Sequence, residues 1–166
     1  SAKFLENKRA IVTATTKPSL PLEGVRVLDL SRAVSGPFCA MILGDLGADV
    51  IKVEPAPDGD MIRAWGPFDR GESVYYLSAN RNKRSIAVNF RSAEGLALLR
   101  DLALKSDVVI ENFRAGTMAE IGLDPAELQR QKPALIVASL SGFGSSGPLA
   151  GRPGFDQIAQ GHSGFM

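Results

Sequence analysis

At 166 residues, with 45% apolar and 22% charged residues, the chain has the size and composition of one ordinary globular domain. Its 19 basic and 18 acidic residues are mixed along the sequence and leave a net charge of +1, so no global field attracts nucleic acid or an anionic membrane. No apolar stretch reaches the roughly 18 residues needed to span a bilayer, and the only cysteine, Cys39, allows no intrachain disulfide and reads as a small buried hydrophobe.

Residues 1–20 read as a poorly ordered leader or linker, with the ordered domain over 21–166 and the cytoplasm as its expected location. Residues 25–30 are a short aliphatic run typical of a buried strand. After Gly36-Pro37, residues 38–46 place apolar side chains at helical spacing, and Gly47 is the expected helix stop. Residues 49–54 form the second strand, which completes one βαβ unit.

The pattern then repeats, with a third strand at 84–90. Ser92 is the expected N-cap of a helix whose apolar stripe is Leu96, Leu98, Leu99, Leu102 and Leu104. A fourth strand follows at 107–111, short helices at 117–121 and 125–131, and a fifth strand at 134–139. Strands alternating with helices imply a parallel sheet covered on both faces, a doubly wound, Rossmann-like α/β fold. The default order across it is third, second, first, fourth, fifth. Residues 55–79 and 141–154 do not fit as simple connections and are read as long functional loops.

In such sheets ligands settle beyond the carboxyl ends of the strands. Those ends carry polar, planar and cationic groups here. Arg91 and Arg114 have the fork geometry that suits phosphates, and Phe90 and Phe113 have faces that suit a purine. A G-x-G-x-x-G cradle and a P-loop are both absent, which disfavours NAD and ATP. One histidine, His162, and one cysteine make no typical zinc site, so no metal is expected. Gly161-His-Ser-Gly is only loosely like a nucleophile elbow, and His162 reads as structural or exposed. Asp29 stands where catalytic carboxylates can sit, but a capping or turn role is the expectation.

Several runs say more than periodicity. Pro21-Leu-Glu-Gly-Val-Arg-Val-Leu-Asp-Leu-Ser-Arg is followed by Gly36-Pro and Leu46-Gly-Ala-Asp-Val-Ile-Lys-Val-Glu. Gly59-Asp-Met through Trp65, Asn80-Arg-Asn-Lys-Arg-Ser-Ile and Asp107-Val-Val-Ile-Glu-Asn-Phe-Arg-Ala-Gly come next, then Ser141-Gly-Phe-Gly through Arg152-Pro-Gly-Phe-Asp. In this order they resemble the amino-terminal part of class III CoA-transferases, the family of formyl-CoA transferase, carnitine CoA-transferase and the α-methylacyl-CoA racemases. Trp65-Gly-Pro and Tyr75-Tyr-Leu-Ser-Ala-Asn-Arg-Asn-Lys are most similar to the glutarate or dicarboxylate branch.

The resemblance implies an enzyme that moves coenzyme A between an acyl-CoA and a carboxylic acid acceptor. An aspartate attacks the thioester to give a mixed anhydride, and the returning thiolate forms an aspartyl-CoA thioester. The implied CoA contacts are Val34 and Ser35 after the first strand, and Pro55 after the second. Val88, Asn89, Phe90 and Arg91 follow the third, Asn112, Phe113 and Arg114 the fourth, and Pro153, Gly154, Phe155 and Asp156 close the set.

Three positions depart from the formyl-CoA enzyme: Val34 replaces a glutamine, and Pro55 and Glu120 each replace an arginine. The implied nucleophile lies roughly thirty residues past Asp156, beyond Met166. The chain is therefore expected to be an amino-terminal portion that binds CoA without turning over by itself, from a protein that forms an interlocked homodimer. The racemase branch is disfavoured because Phe155 stands where its proton-abstracting histidine would be. A non-catalytic CoA- or nucleotide-binding module, or a subunit completed by another chain, is the alternative from a different class.

Overall fold

The computed structural model describes residues 19–166, so most of the expected leader lies outside the described residues. In chain order, β1 (Arg26–Asp29), α1 (Ser35–Asp45) and β2 (Asp49–Pro55) form the first βαβ unit. A 3-10 turn (Met61–Ala64), β3 (Phe68–Asp69), β4 (Glu72–Ser73) and α2 (Val74–Asn80) precede β5 (Lys83–Val88). Then come α3 (Ala93–Lys105), β6 (Val108–Glu111), α4 (Thr117–Glu120), α5 (Pro125–Gln131), β7 (Ile136–Ser139) and α6 (Asp156–Ser163).

The main sheet runs β5-β2-β1-β6-β7 with every pairing parallel. This is the default order expected from the sequence, with its topological switch point between β1 and β6. Alternation along the strands divides the core between the two faces. Leu28, Leu30, Val53, Val88 and Val109 pack with Leu99 and Ala103 of α3, and with Met118, Leu123, Leu128 and Leu135 around α4 and α5. Val27, Val50 and Ile110 pack with Ala40 of α1 on the opposite face, and half-buried Cys39 joins that cluster. Each fully buried leucine contributes about 1.5–3 kcal/mol, so Leu99, Leu123, Leu128 and Leu135 anchor the α3–α5 layer.

Local signals set the helix ends. Ser92 accepts from Gly95 N at 3.0 Å as the N-cap of α3. Asp124 caps α5 through Glu127 N at 3.0 Å, with Pro125 in the first turn. Gly47 ends α1 at φ 102°, a left-handed backbone that favours glycine. Residues 55–79, expected as a long loop, are folded instead. Arg70 and Gly71, at φ 50° and 86°, turn the β3–β4 hairpin, and Ser73 caps α2 through Tyr76 N at 3.1 Å. These elements are two to seven residues long, too short for periodicity to reveal. The helix α6, which no sequence expectation covers, buries none of its residues.

Candidate functional site

Two adjoining clefts open at the carboxyl ends of the strands. One, about 490 Å³, is lined by Arg32 after β1 and by Pro55, Asp58, Asp60, Met61 and Arg63 after β2. The other, about 480 Å³, lies between the ends of β2 and β5 and is lined by Pro55–Asp58, Asn89, Phe90 and Arg91. Pro55 and Asp58 border both. Backbone bonds tie the shared wall to β5, with Ala56 N donating to Val88 O at 2.9 Å.

Four of the residues expected from the sequence therefore meet on one cleft: Pro55, Asn89, Phe90 and Arg91. The Asn89 side chain accepts from Arg91 N at 2.9 Å, which folds this segment back on itself before α3. Val34 and Ser35 stand at the start of α1, whose first turn has no side-chain cap. Val88 is a core residue, 4% exposed, and its carbonyl is already bonded to Ala56. Its side chain supports the fold and does not reach a cleft.

The β6 segment lines neither cleft. Asn112 grips the backbone of Arg32, accepting from its N–H at 2.8 Å and donating to its carbonyl at 2.7 Å. Phe113 packs against the core with the Arg32 guanidinium 5.0 Å from its ring centre, so Arg32 already covers one of its faces. Arg114 is exposed and lines neither cleft. Phe155, 63% exposed, and Asp156, in the first turn of α6, also lie outside both clefts. Pro153 and Gly154 belong to a loop whose ends touch: a Cβ on Gly142 would meet Gly154 Cα at 2.6 Å, so both positions need glycine for this approach. His162 lies exposed in α6, edge-on to Phe143 at 5.2 Å, and forms no nucleophile elbow.

Beneath the clefts lies a polar layer that the sequence reading passed over. Glu54 accepts from Arg63 Nε and Nη2 at 2.6 and 2.7 Å, Tyr76 Oη at 2.8 Å, Ser85 Oγ at 2.6 Å and Asp60 N at 2.9 Å. Burial alone would raise its pKa, but these donors together hold the carboxyl well below its ordinary range. Arg63 is raised in turn, chiefly by Glu54, and lies over the Tyr76 ring at 3.7 Å. Burial, then the bond to Glu54, raises the Tyr76 phenol. A carboxylate so fully engaged has no lone pair free for proton transfer, and Glu54 is a structural hub. Asp29, as expected, shapes a turn; its carboxylate accepts from Ser31 N at 3.0 Å and pairs with Lys83 at 2.8 Å.

Lys52 and Glu54 were detectable in principle. They sit inside a central parallel strand covered on both faces, and a charge there must find a partner. What that partner was, the strand pattern did not say. Among the described residues, no group of three or more His, Cys, Asp or Glu is placed to hold a metal, and no helix is long and apolar enough to cross a membrane.

Comparison with known proteins settles the family. The model of CoA-transferase family III matches residues 22–166. The chain belongs to that family. It is 49% identical over 147 residues to succinyl-CoA:glutarate CoA-transferase of Mus musculus, covering 88% of this chain and 34% of that protein. It is 48% identical over 153 residues to succinate–glutarate CoA-transferase of Agrobacterium fabrum, covering 88% and 38%. The crystal structure of a CAIB/BAIF family protein from Brucella suis superposes with a TM-score of 0.84 at 46% identity, over 89% of this chain and 40% of that one. The chain of this family III member thus spans little more than a third of the length of the curated relatives it matches. The superposition on the Brucella suis protein shows that the two chains share the parallel α/β architecture.

Proposed function

We propose that this chain forms the coenzyme A-binding part of a transferase that moves CoA from a dicarboxylyl-CoA thioester to a carboxylic acid acceptor. The observation that carries the reading is the cleft beyond β2 and β5. There Phe90 offers a partly open aromatic ring and Arg91 a cation, beside backbone groups of Pro55–Asp58. These suit an adenine ring and the phosphates of CoA. The neighbouring cleft, reached past Pro55, leaves room for the pantetheine arm to run toward Arg32 and Met61. The dicarboxylate specificity rests on the names of the relatives and on the Trp65 and Tyr75 segments.

In this proposal the covalent chemistry belongs to an aspartate outside residues 1–166. Its carboxylate displaces CoA thiolate from the thioester to form a mixed anhydride. The thiolate attacks the aspartyl carbonyl and expels the donor acid, and the acceptor acid then runs the two exchanges in reverse to free the aspartate. The residues described here bind and orient the CoA moiety. An interlocked homodimer is part of the same proposal. It is supported by large apolar side chains left exposed on α1 and around α2, among them Phe38, Ile42, Trp65, Tyr75 and Leu77.

Isothermal titration with CoA tests the binding step, and succinyl-CoA with glutarate in a transferase assay of the whole protein tests the reaction. Saturable one-site binding, with dephospho-CoA weaker than CoA, is the expected result. A protein that binds adenine nucleotides and CoA equally well would favour the nucleotide-module alternative instead.

A further inference from the structure

The turn joining β1 to α1 is held by side chains from other parts of the molecule. Ser31 N donates to Asp29 Oδ1 at 3.0 Å, and Ser31 O accepts from Lys52 Nζ at 3.0 Å. Asn112 takes both backbone groups of Arg32, and Ala33 N donates to Asp60 Oδ1 at 3.1 Å. Ala33 sits at φ 61°, a left-handed conformation that disfavours an L side chain and persists only where the surroundings impose it.

Two buried ion pairs flank this turn. Lys52 and Asp60 lie 2.8 Å apart with both side chains 1% exposed. Lys83 and Asp29 are as close and as deeply buried, and Lys83 also donates to Pro37 O in the first turn of α1 at 2.7 Å. Burying such pairs costs desolvation that apolar residues of the same volume avoid, so stability is a weak reason for their presence. What apolar residues cannot supply is a hydrogen bond aimed at the backbone. Both members of the Lys52–Asp60 pair make one to the turn, Lys52 at Ser31 O and Asp60 at Ala33 N.

We propose that Lys52 and Asp60 are positioning residues: their ion pair locks the Ser31–Ala33 backbone so that Arg32, which lines the first cleft, is presented in one geometry to the ligand. The ligand's identity rests on the coenzyme A reading; the locking of the turn does not. Both side chains are buried, 1% exposed, and their polar atoms are directed at protein groups. Each acts through the turn, whose Arg32 lines the cleft.

The test compares the wild-type protein with Lys52→Met, Asp60→Asn and the double variant Lys52→Met/Asp60→Leu. Thermal midpoint, amide hydrogen exchange across residues 31–38 and CoA titration are measured for each. Lys52→Met leaves an unpaired buried carboxylate and lowers the midpoint. The double variant removes both charges and recovers most of that loss. The exchange of the turn in the double variant is nevertheless expected to be about tenfold faster, and CoA binding about tenfold weaker, as the loss of two directed hydrogen bonds would give.

Recovered stability with wild-type exchange and wild-type CoA affinity would overturn the proposal, because the pair would then be ordinary packing. Fast exchange with unchanged CoA affinity would also overturn it, since the locked turn would not serve the ligand. Should the double variant fail to fold, Lys52→Met/Asp60→Asn, neutral and closer in shape, still removes the bond to Ser31 O and decides by the same two readouts. A wild-type protein that takes up no CoA refutes the reading on which the ligand clause rests, and the exchange arm still decides whether the pair locks the turn.

Discussion

The Asn112 side chain closes a two-point grip on the backbone of Arg32, with bonds of 2.8 and 2.7 Å between residues 80 apart in sequence. The grip spans the ends of β1 and β6, which is the topological switch point of the sheet. The crevice where doubly wound folds commonly hold a ligand is therefore bridged by protein, and the open clefts lie to the β2 and β5 side. Asn112 organises the site through Arg32.

Asn112→Ala should lower stability by about 1–3 kcal/mol, because it leaves a partly buried N–H and carbonyl without partners. Urea unfolding checks this as a lower midpoint at unchanged slope. A loss below about 0.5 kcal/mol, within the scatter of ordinary surface substitutions, would mean that water replaces the grip at no cost.

Glu54→Gln should destabilise the protein at neutral pH and flatten its acid limb. The folded carboxyl is held well below the 4.5 of an unperturbed glutamate. The stabilisation it gives is thus complete above about pH 4.5 and is lost as pH falls toward the folded value, because the unfolded chain binds the proton first. One such group contributes a slope of up to about 1.4 kcal/mol per pH unit in that window. Asp45, Asp107 and Glu127, held low by Arg81, by the Arg26 N–H and by Arg130 respectively, keep part of the limb in the variant. Stability curves from pH 7 to pH 3 that superpose in slope would contradict the hub role of Glu54.

Gly95→Ala pits two effects of opposite sign. Alanine gains about 1 kcal/mol of helix propensity over glycine. Its Cβ, however, would stand 2.1 Å from the Asn89 carbonyl oxygen, a backbone atom that cannot swing aside. Overpacking of this kind costs about 1–3 kcal/mol, so a net loss is expected. The displaced Asn89 lines the second cleft, and CoA affinity should fall with it. A more stable variant with intact binding would show that the segment before α3 is soft.

Arg91→Ala should weaken CoA binding about tenfold, the scale of one charge-assisted hydrogen bond. The loss should shrink at high salt, since Arg91 is exposed and its field is screened. Titrations at two ionic strengths check this. Equal loss at both would assign Arg91 a structural part in place of an electrostatic one.

Most of the fold was legible because its signals are local. The aliphatic runs of β1, β2 and β6, the Ser92 cap and the Gly47 stop each act within a few residues, and each is found where expected. Of the candidate site, Pro55, Asn89, Phe90 and Arg91 were legible as strand-end residues of adjacent parallel strands. Val88 and Phe113 stand at the same kind of position and line neither cleft. A strand-end position does not tell which face a side chain takes: Val88 is buried in the core cluster, Phe113 packs against it, and Phe90 does so too while still bordering the cleft. The hairpin and α2 escaped because elements so short carry no period and are held by tertiary contacts, such as Ser73 Oγ on Trp65 O at 2.6 Å.

By itself the sequence determined the parallel α/β class and the family, because hydrophobic period, capping and motif order are written in neighbouring residues. Only the tertiary structure decided that Lys52 meets Asp60, that Lys83 meets Asp29 and that Asn112 grips Arg32. Those partners come from separate elements, and a buried charge or amide specifies that it must be satisfied without specifying by whom. The sheet order brings the partners together, and with them the shape of the site.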